Sequence, residues 1–206
     1  MAVSGRWYGR RLASSRCWCS AMMTLTPALT IRLATPADAD AIHTVTQAAY
    51  AEYRATSTPS AALAETAREV REAMYAGAWS AAIVEEDGEL AGAVRFKVDA
   101  RGLYFFRLAV HPDHRRRGVA QTILSWLEAE GRRRHVHRLW CQVRLIIQAN
   151  VALYTKNGFS IVEEHIVMRN GVEVPTATME KRLDGGPKEE GPRLILVGVG
   201  SGDYDE

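Results

Sequence analysis

The chain has 206 residues, enough for one domain with a full core, and its hydrophobic and charged fractions are ordinary for a soluble globular protein. A formal net charge of +2 gives no global case for nucleic acid or a membrane surface, so any anion site must be local. No uninterrupted apolar stretch approaches the ~20 residues that span a bilayer. The three cysteines, Cys17, Cys19 and Cys141, have neither disulfide-framework nor zinc-site spacing, which suits a reduced, cytoplasmic setting.

Residues 1–29 hold Arg6, Arg10, Arg11 and Arg16, several serines and no acid. That is the composition of an organellar transit peptide. The plainer reading is a disordered basic arm, or a natural start at Met22 or Met23. Ile31–Ala34 reads as a short strand. Thr35-Pro36 opens a helix, with Asp38 and Asp40 in its first turn, where the helix dipole favours acids. Ile42, Val45, Ala49 and Tyr53 recur at helical spacing. After Pro59 a second helix puts Leu63, Ala67, Val70 and Met74 on one face and ends at Gly77.

Ala81–Val84, the Asp87-Gly88 turn and Leu90–Val98 read as a hairpin. Leu103–Val110 is the next strand, stopped by Pro112. A helix follows with Val119, Ile123, Trp126 and Leu127 inward. Then come a strand at Leu139–Val143, with Cys141 as a small core residue, and a short helix at Ala149–Lys156. A strand ending near Met168, the Asn170-Gly171 turn and a strand at Val172–Leu183 complete the order β-α-α-β-β-β-α-β-α-β-β. Residues 184–206 read as a loose tail. Its Gly198-Val199-Gly200 stretch has no following helix and is not a nucleotide loop.

The segment Arg115–Ala120 joins a strand to a helix. Helix N-termini leave N–H groups unpaired and carry positive potential, so this is a place to hold a phosphate. Gly118 lets an anion reach the backbone, and Arg115, Arg116 and Arg117 add guanidinium forks. No GK[ST] follows, so it is not a Walker loop. Taken alone, it argues only for an anion at a helix start.

Two further segments narrow this. Arg115-x-x-Gly118-x-Ala120 matches the Gln/Arg-x-x-Gly-x-Gly/Ala signature of the GNAT superfamily of N-acetyltransferases, and Leu108-Ala109-Val110-x-Pro112 before it also fits. Ala149-Asn150-x-Ala152-Leu153-Tyr154-x-x-x-Gly158-Phe159 resembles the second signature of that family. The resemblance covers residues 30–183 and implies an α/β (α+β) fold. Its centre is a mixed, mostly antiparallel sheet flanked by helices.

The resemblance also implies an activity and a site. The activity is acetyl transfer from acetyl-CoA to a small-molecule or peptide primary amine in a ternary complex, with no metal. Backbone N–H groups of Arg116, Arg117, Gly118, Val119, Ala120 and Gln121 would hold the CoA pyrophosphate, with Arg115 beside them. The backbone of Leu108, Ala109 and Val110 would pair with the pantetheine arm, in a splay between that strand and Leu139–Val143. Asn150 would bond the arm. The Val110 N–H would stabilise the developing oxyanion. Tyr154, a phenol near pKa ~10, would protonate a thiolate near pKa ~8.5.

The acceptor side is less defined. Tyr50, Tyr53 and Arg54, near the end of the first helix, are candidates to recognise a carboxylate-bearing or aromatic amine. Glu52, Glu163 and Glu164 are the available acids, but none is assigned as a base, and a water relay is equally open. The basic run Arg132–Arg138 reads as a solvated helix end. As an RNA patch it lacks interleaved aromatics. Two other functions stay open: an acetyl-CoA sensor without turnover, and a protein or tRNA acetylase. The oligomeric state, a homodimer included, is also open.

Overall fold

The computed structural model describes residues 28–56, 58–169 and 171–183. The expected tail, nearly all of the expected arm, and Asn170 of the expected hairpin turn lie outside the described residues. The strands are β1 (Leu29–Leu33), β2 (Ser80–Glu86), β3 (Glu89–Asp99), β4 (Gly102–Val110), β5 (Arg138–Arg144), β6 (Ser160–Arg169) and β7 (Val172–Arg182). The helices are α1 (Ala39–Tyr50), α2 (Ala67–Tyr75), α3 (Val119–Arg133) and α4 (Gln148–Lys156). This is the element order expected from the sequence. Among the described residues no helix is long and apolar enough to cross a membrane.

One sheet of order β1-β2-β3-β4-β5-β7-β6 forms the centre. Every neighbouring pair is antiparallel except β4 and β5, which are parallel. The middle strands are apolar on both faces, because helices cover both. Along β2, Ala82 and Val84 join the cluster beneath α3 and α4, while Ala81 and Ile83 join Ile42, Val45 and Val70 beneath α1 and α2. Successive side chains of a strand point to opposite faces, so a single run serves two cores. Fully burying Ile42 or Val45 contributes on the order of 1.5–3 kcal/mol each.

Helix starts differ from the sequence reading in two places. A 3₁₀ turn at Pro36–Asp38 precedes α1, and a second one at Ala51–Tyr53 follows it, so Tyr53 lies beyond the α-helix proper. Leu63 lies in a separate 3₁₀ turn, Ala61–Leu63. α2 begins only at Ala67, because Thr66 and Glu69 form a reciprocal capping box that fixes its first turn.

Gly92 marks where α3 meets the sheet. A Cβ there would lie 2.8 Å from Val119 Cγ1 and 2.9 Å from the Ala109 carbonyl oxygen. Only a residue without a side chain allows this approach, which seats the N-terminus of α3 over β3 and β4.

Two irregularities open the sheet. Ala93 faces Ala109 and Arg95 faces Phe106, so β4 uses one more residue than β3 over this interval. The extra residue bulges the strand, and Arg107 takes a left-handed backbone, φ +52°. In addition, β4 and β5 pair only at Leu103–Leu139 and Tyr104–Trp140. Beyond those pairs β5 stays in register with β7 as far as Arg144. A gap therefore opens between the ends of β4 and β5.

Candidate active site

A cavity of about 440 Å³ occupies this gap. It reaches from the start of α3, at Arg116 and Ala120, between Leu108 and Val110 on β4 and Val143 on β5. It continues to Tyr50, Tyr53 and Ser60 in and after α1, and α4 closes one side with Asn150 and Tyr154. Its size is that of a small-ligand cleft.

Among the described residues, the gap leaves β4 backbone groups without a strand partner. His111 N–H donates to the Ala91 carbonyl on the β3 side at 2.9 Å. Successive N–H groups of an extended strand point to opposite edges. The N–H of Val110 therefore points away from β3, into the gap.

The start of α3 supplies a second set of donors. Arg116 and Gly118 both have left-handed backbones, φ +62° and +88°, and turn the chain into the helix. Thr122 N–H makes the first helical bond, to the Gly118 carbonyl at 2.9 Å. The N–H groups of Val119, Ala120 and Gln121 precede it and have no carbonyl one turn back. A Cβ on Gly118 would meet only Leu29, at 3.9 Å, so the backbone conformation, not crowding, is what calls for glycine.

The three loop arginines have different surroundings. Arg115 pairs with Glu52 at 3.0 Å and donates to the Ala49 carbonyl at 3.2 Å. Arg117 pairs at 3.2 Å with Glu86, a buried carboxylate that also bonds the ring of His114. Chiefly the His114 hydrogen bond, then the charge of Arg117, holds the Glu86 carboxyl below its ordinary range against the cost of burial. Arg116 lines the cavity. The partnership of Glu86 and His114 was invisible in sequence, where 28 positions separate them.

On α4, the Tyr154 ring is buried edge-on to Phe105, centroids 5.7 Å apart. Tyr50 and Tyr53 meet edge-on at 6.1 Å. Burial, and then the neighbouring Glu52, raise the Tyr53 hydroxyl above its ordinary pKa. Burial likewise pushes the Cys141 thiol far up, which leaves it a neutral core group.

The cavity thus brings together Leu108, Val110, Arg115, Arg116, Ala120, Asn150, Tyr154, Tyr50 and Tyr53. Other expected site residues do not line the cavity with their side chains. Ala109 faces the α1 core and Val119 the α3 core. Arg54 is exposed, with its guanidinium 3.4 Å from Gln47, outside the cavity lining. Of the acids, Glu52 lines the cavity, while Glu163 and Glu164 are exposed on β6 outside it.

Two arginines that sequence reading passed over, Arg107 and Arg144, do line the cavity, 3% and 5% exposed. Arg107 lies 3.7 Å from Glu65, which also binds Arg95 at 2.8 Å. Arg144 donates to the Thr58 carbonyl at 2.5 Å. The basic run after α3 is largely paired: Arg132 meets Glu128, Arg133 and Arg134 meet Glu130, and Arg138 meets Glu180.

Known proteins resemble this chain in sequence and in fold. The E. coli [ribosomal protein bS18]-alanine N-acetyltransferase is 33% identical over 85 residues, 41% of this chain and 55% of that protein. The chain thus spans about half the length of the curated relatives it matches. The crystal structure of the E. coli ribosomal-protein-S18-alanine N-acetyltransferase superposes with a TM-score of 0.63 at 20% identity, covering 79% of this chain and 99% of that one. A Salmonella typhimurium structure solved with its cofactor acetyl-CoA superposes at 0.64 and 20% identity, covering 79% and 98%. The sequence profile of the acetyltransferase (GNAT) family matches residues 42–159, more than half of the sequence, and the chain belongs to that family.

Proposed function

We propose that the protein is an acetyl-CoA-dependent N-acetyltransferase acting on a primary amine, with residues 30–183 as its catalytic domain and the cytoplasm as its setting. The observation that carries this is the meeting of two donor sets in one cavity. The unpaired N–H groups at the start of α3 adjoin the unpaired β4 edge where β5 diverges. An elongated ligand with a phosphate end and an amide-bearing arm fits both. CoA has that form.

The N–H groups of Val119, Ala120 and Gln121 would hold the pyrophosphate, with Arg116 and the helix dipole adding positive charge. The β4 edge at Leu108 and Val110, and Asn150 across the gap, would hold the arm. Bound acetyl-CoA supplies an acetyl thioester.

The chain's own groups then act in order. The gap aligns a neutral amine from the α1 side with the carbonyl. The Val110 N–H receives the charge that builds on the carbonyl oxygen. The Tyr154 hydroxyl gives its proton to the departing sulfur. Glu52 is paired with Arg115, so the proton lost by the amine is assigned to water in the cavity.

Release of free thiol from acetyl-CoA, followed across a panel of amino acids, polyamines, aminoglycosides and peptide N-termini, tests the assignment. Amine-dependent release is expected. CoA binding without release on any amine would favour a sensor. A second reading has its own support: the relatives named for an alanine of a ribosomal protein favour a peptide α-amine as acceptor.

A further inference from the structure

The turn from β4 into α3 holds Arg116 at φ +62°, a left-handed backbone that a residue with a side chain rarely adopts. Such a conformation persists only where its surroundings over-determine it. The residues on either side of Arg116 show what imposes it here.

Glu86, the last residue of β2, is buried. Its Oε2 accepts from two donors, the N–H at Nδ1 of His114 and, at 3.2 Å, the guanidinium of Arg117. These donors lie two residues before Arg116 and one residue after it. One oxygen atom therefore ties both flanks of the left-handed residue to the sheet. Arg115 is held on the α1 side by Glu52 and the Ala49 carbonyl. With its neighbours fixed, Arg116 is exposed and lines the cavity.

Charge alone does not account for a carboxylate at this place. Glu86 touches the segment that leads into the start of α3, and its negative charge opposes any phosphate bound there. We infer that Glu86 is a positioning residue for the phosphate end of the cavity. Through His114 and Arg117 it fixes the turn at Arg116, and the turn aims the N–H groups of Val119, Ala120 and Gln121. The inference rests on the CoA reading above and adds a residue outside the cavity lining. It also reverses the sign that charge predicts. Removing a negative charge tightens the binding of an anion, whereas removing a clamp loosens it.

The test titrates acetyl-CoA calorimetrically into the full-length protein and into Glu86→Gln, which keeps the size of the side chain and drops its charge. Circular dichroism sets a temperature at which both are folded. The Kd should rise about tenfold or more in the variant, the size of one lost charge-assisted hydrogen bond. The KM for acetyl-CoA should rise with it, while kcat at saturation and the acceptor KM hold. His114→Ala and His114→Asn decide even if Glu86→Gln does not fold. Asparagine offers an amide N–H near the place of Nδ1–H, so it should keep most of the affinity that alanine loses. Equal or tighter acetyl-CoA binding in Glu86→Gln, a kcat that falls as far as the affinity, or two His114 variants that bind alike would overturn the inference while the CoA reading stands. Wild-type protein that fails to bind acetyl-CoA overturns the CoA reading itself.

Discussion

Arg115 on the loop before α3 forms an ion pair with Glu52 beyond α1, Nη2 to Oε1 at 3.0 Å. Position 115 matches the phosphate-loop signature, yet its side chain turns away to brace the acceptor side of the cavity. Both groups are roughly half exposed, so the pair contributes under about 1 kcal/mol to stability. Arg115→Ala should therefore leave urea unfolding nearly unchanged while raising the acceptor KM, because the turn holding Glu52 and Tyr53 loosens. Steady-state kinetics in both substrates check this. A loss confined to acetyl-CoA affinity would instead make Arg115 a direct phosphate ligand.

Tyr154→Phe keeps the ring that packs on Phe105 and removes only the hydroxyl. Proton transfer by a positioned side chain is worth about a hundredfold or more. The expected result is a kcat lower by about that factor with an unchanged Kd for acetyl-CoA. If kcat is the same across the pH range, Tyr154 is not the acid.

The Glu86 carboxyl is held below its ordinary value by His114 and Arg117. A lowered native pKa adds stability that is fully present above the ordinary value of 4.5 and is lost as pH falls through the lowered one. Glu86→Gln should therefore be less stable than wild type near neutral pH, and the difference should shrink in acid. Urea unfolding at neutral pH and below pH 4.5 measures it. A difference of the same size at both would mean that the carboxylate charge does not hold this corner.

Two glycine substitutions separate packing from backbone strain. Gly92→Ala drives a methyl into Val119 and the Ala109 carbonyl, and the backbone atom cannot rotate away. It should cost about 1–3 kcal/mol of stability, read from the denaturation midpoint. Gly118→Ala meets only Leu29, at an ordinary contact distance of 3.9 Å, but must hold φ +88°, a cost of about 1–2 kcal/mol. It should also weaken acetyl-CoA binding, because the turn that aims the α3 donors relaxes. Equal acetyl-CoA affinity in Gly118→Ala and wild type would remove the loop from the binding site.

Local signals carried most of the fold. Helical spacing from Ile42 to Ala49, the Asp87-Gly88 turn and the run of strands after it are written in consecutive residues, and the structure repeats their order. The capping box at Thr66 and Glu69 was equally local, but the apolar face drew Leu63 into α2. The features that shape the cavity were not local. Nothing near Arg107 announces a left-handed bulge, since the reason for it lies in the register against β3 and the contact with Glu65. Arg54 reads as a site residue because it adjoins Tyr50 and Tyr53 in sequence. Arg144, whose Thr58 partner is 86 positions away, carries no such local signal. Sequence distance hides ion pairs that the sheet creates.

Amine acetylation itself is tested most directly by incubating the full-length chain with acetyl-CoA and an amine panel, measuring free thiol and the mass of the acetylated product. The expected result is thiol release that requires an amine, a matching N-acetyl product, and loss of both in Tyr154→Phe. Tight acetyl-CoA binding with no amine-dependent thiol release from any member of the panel would contradict it.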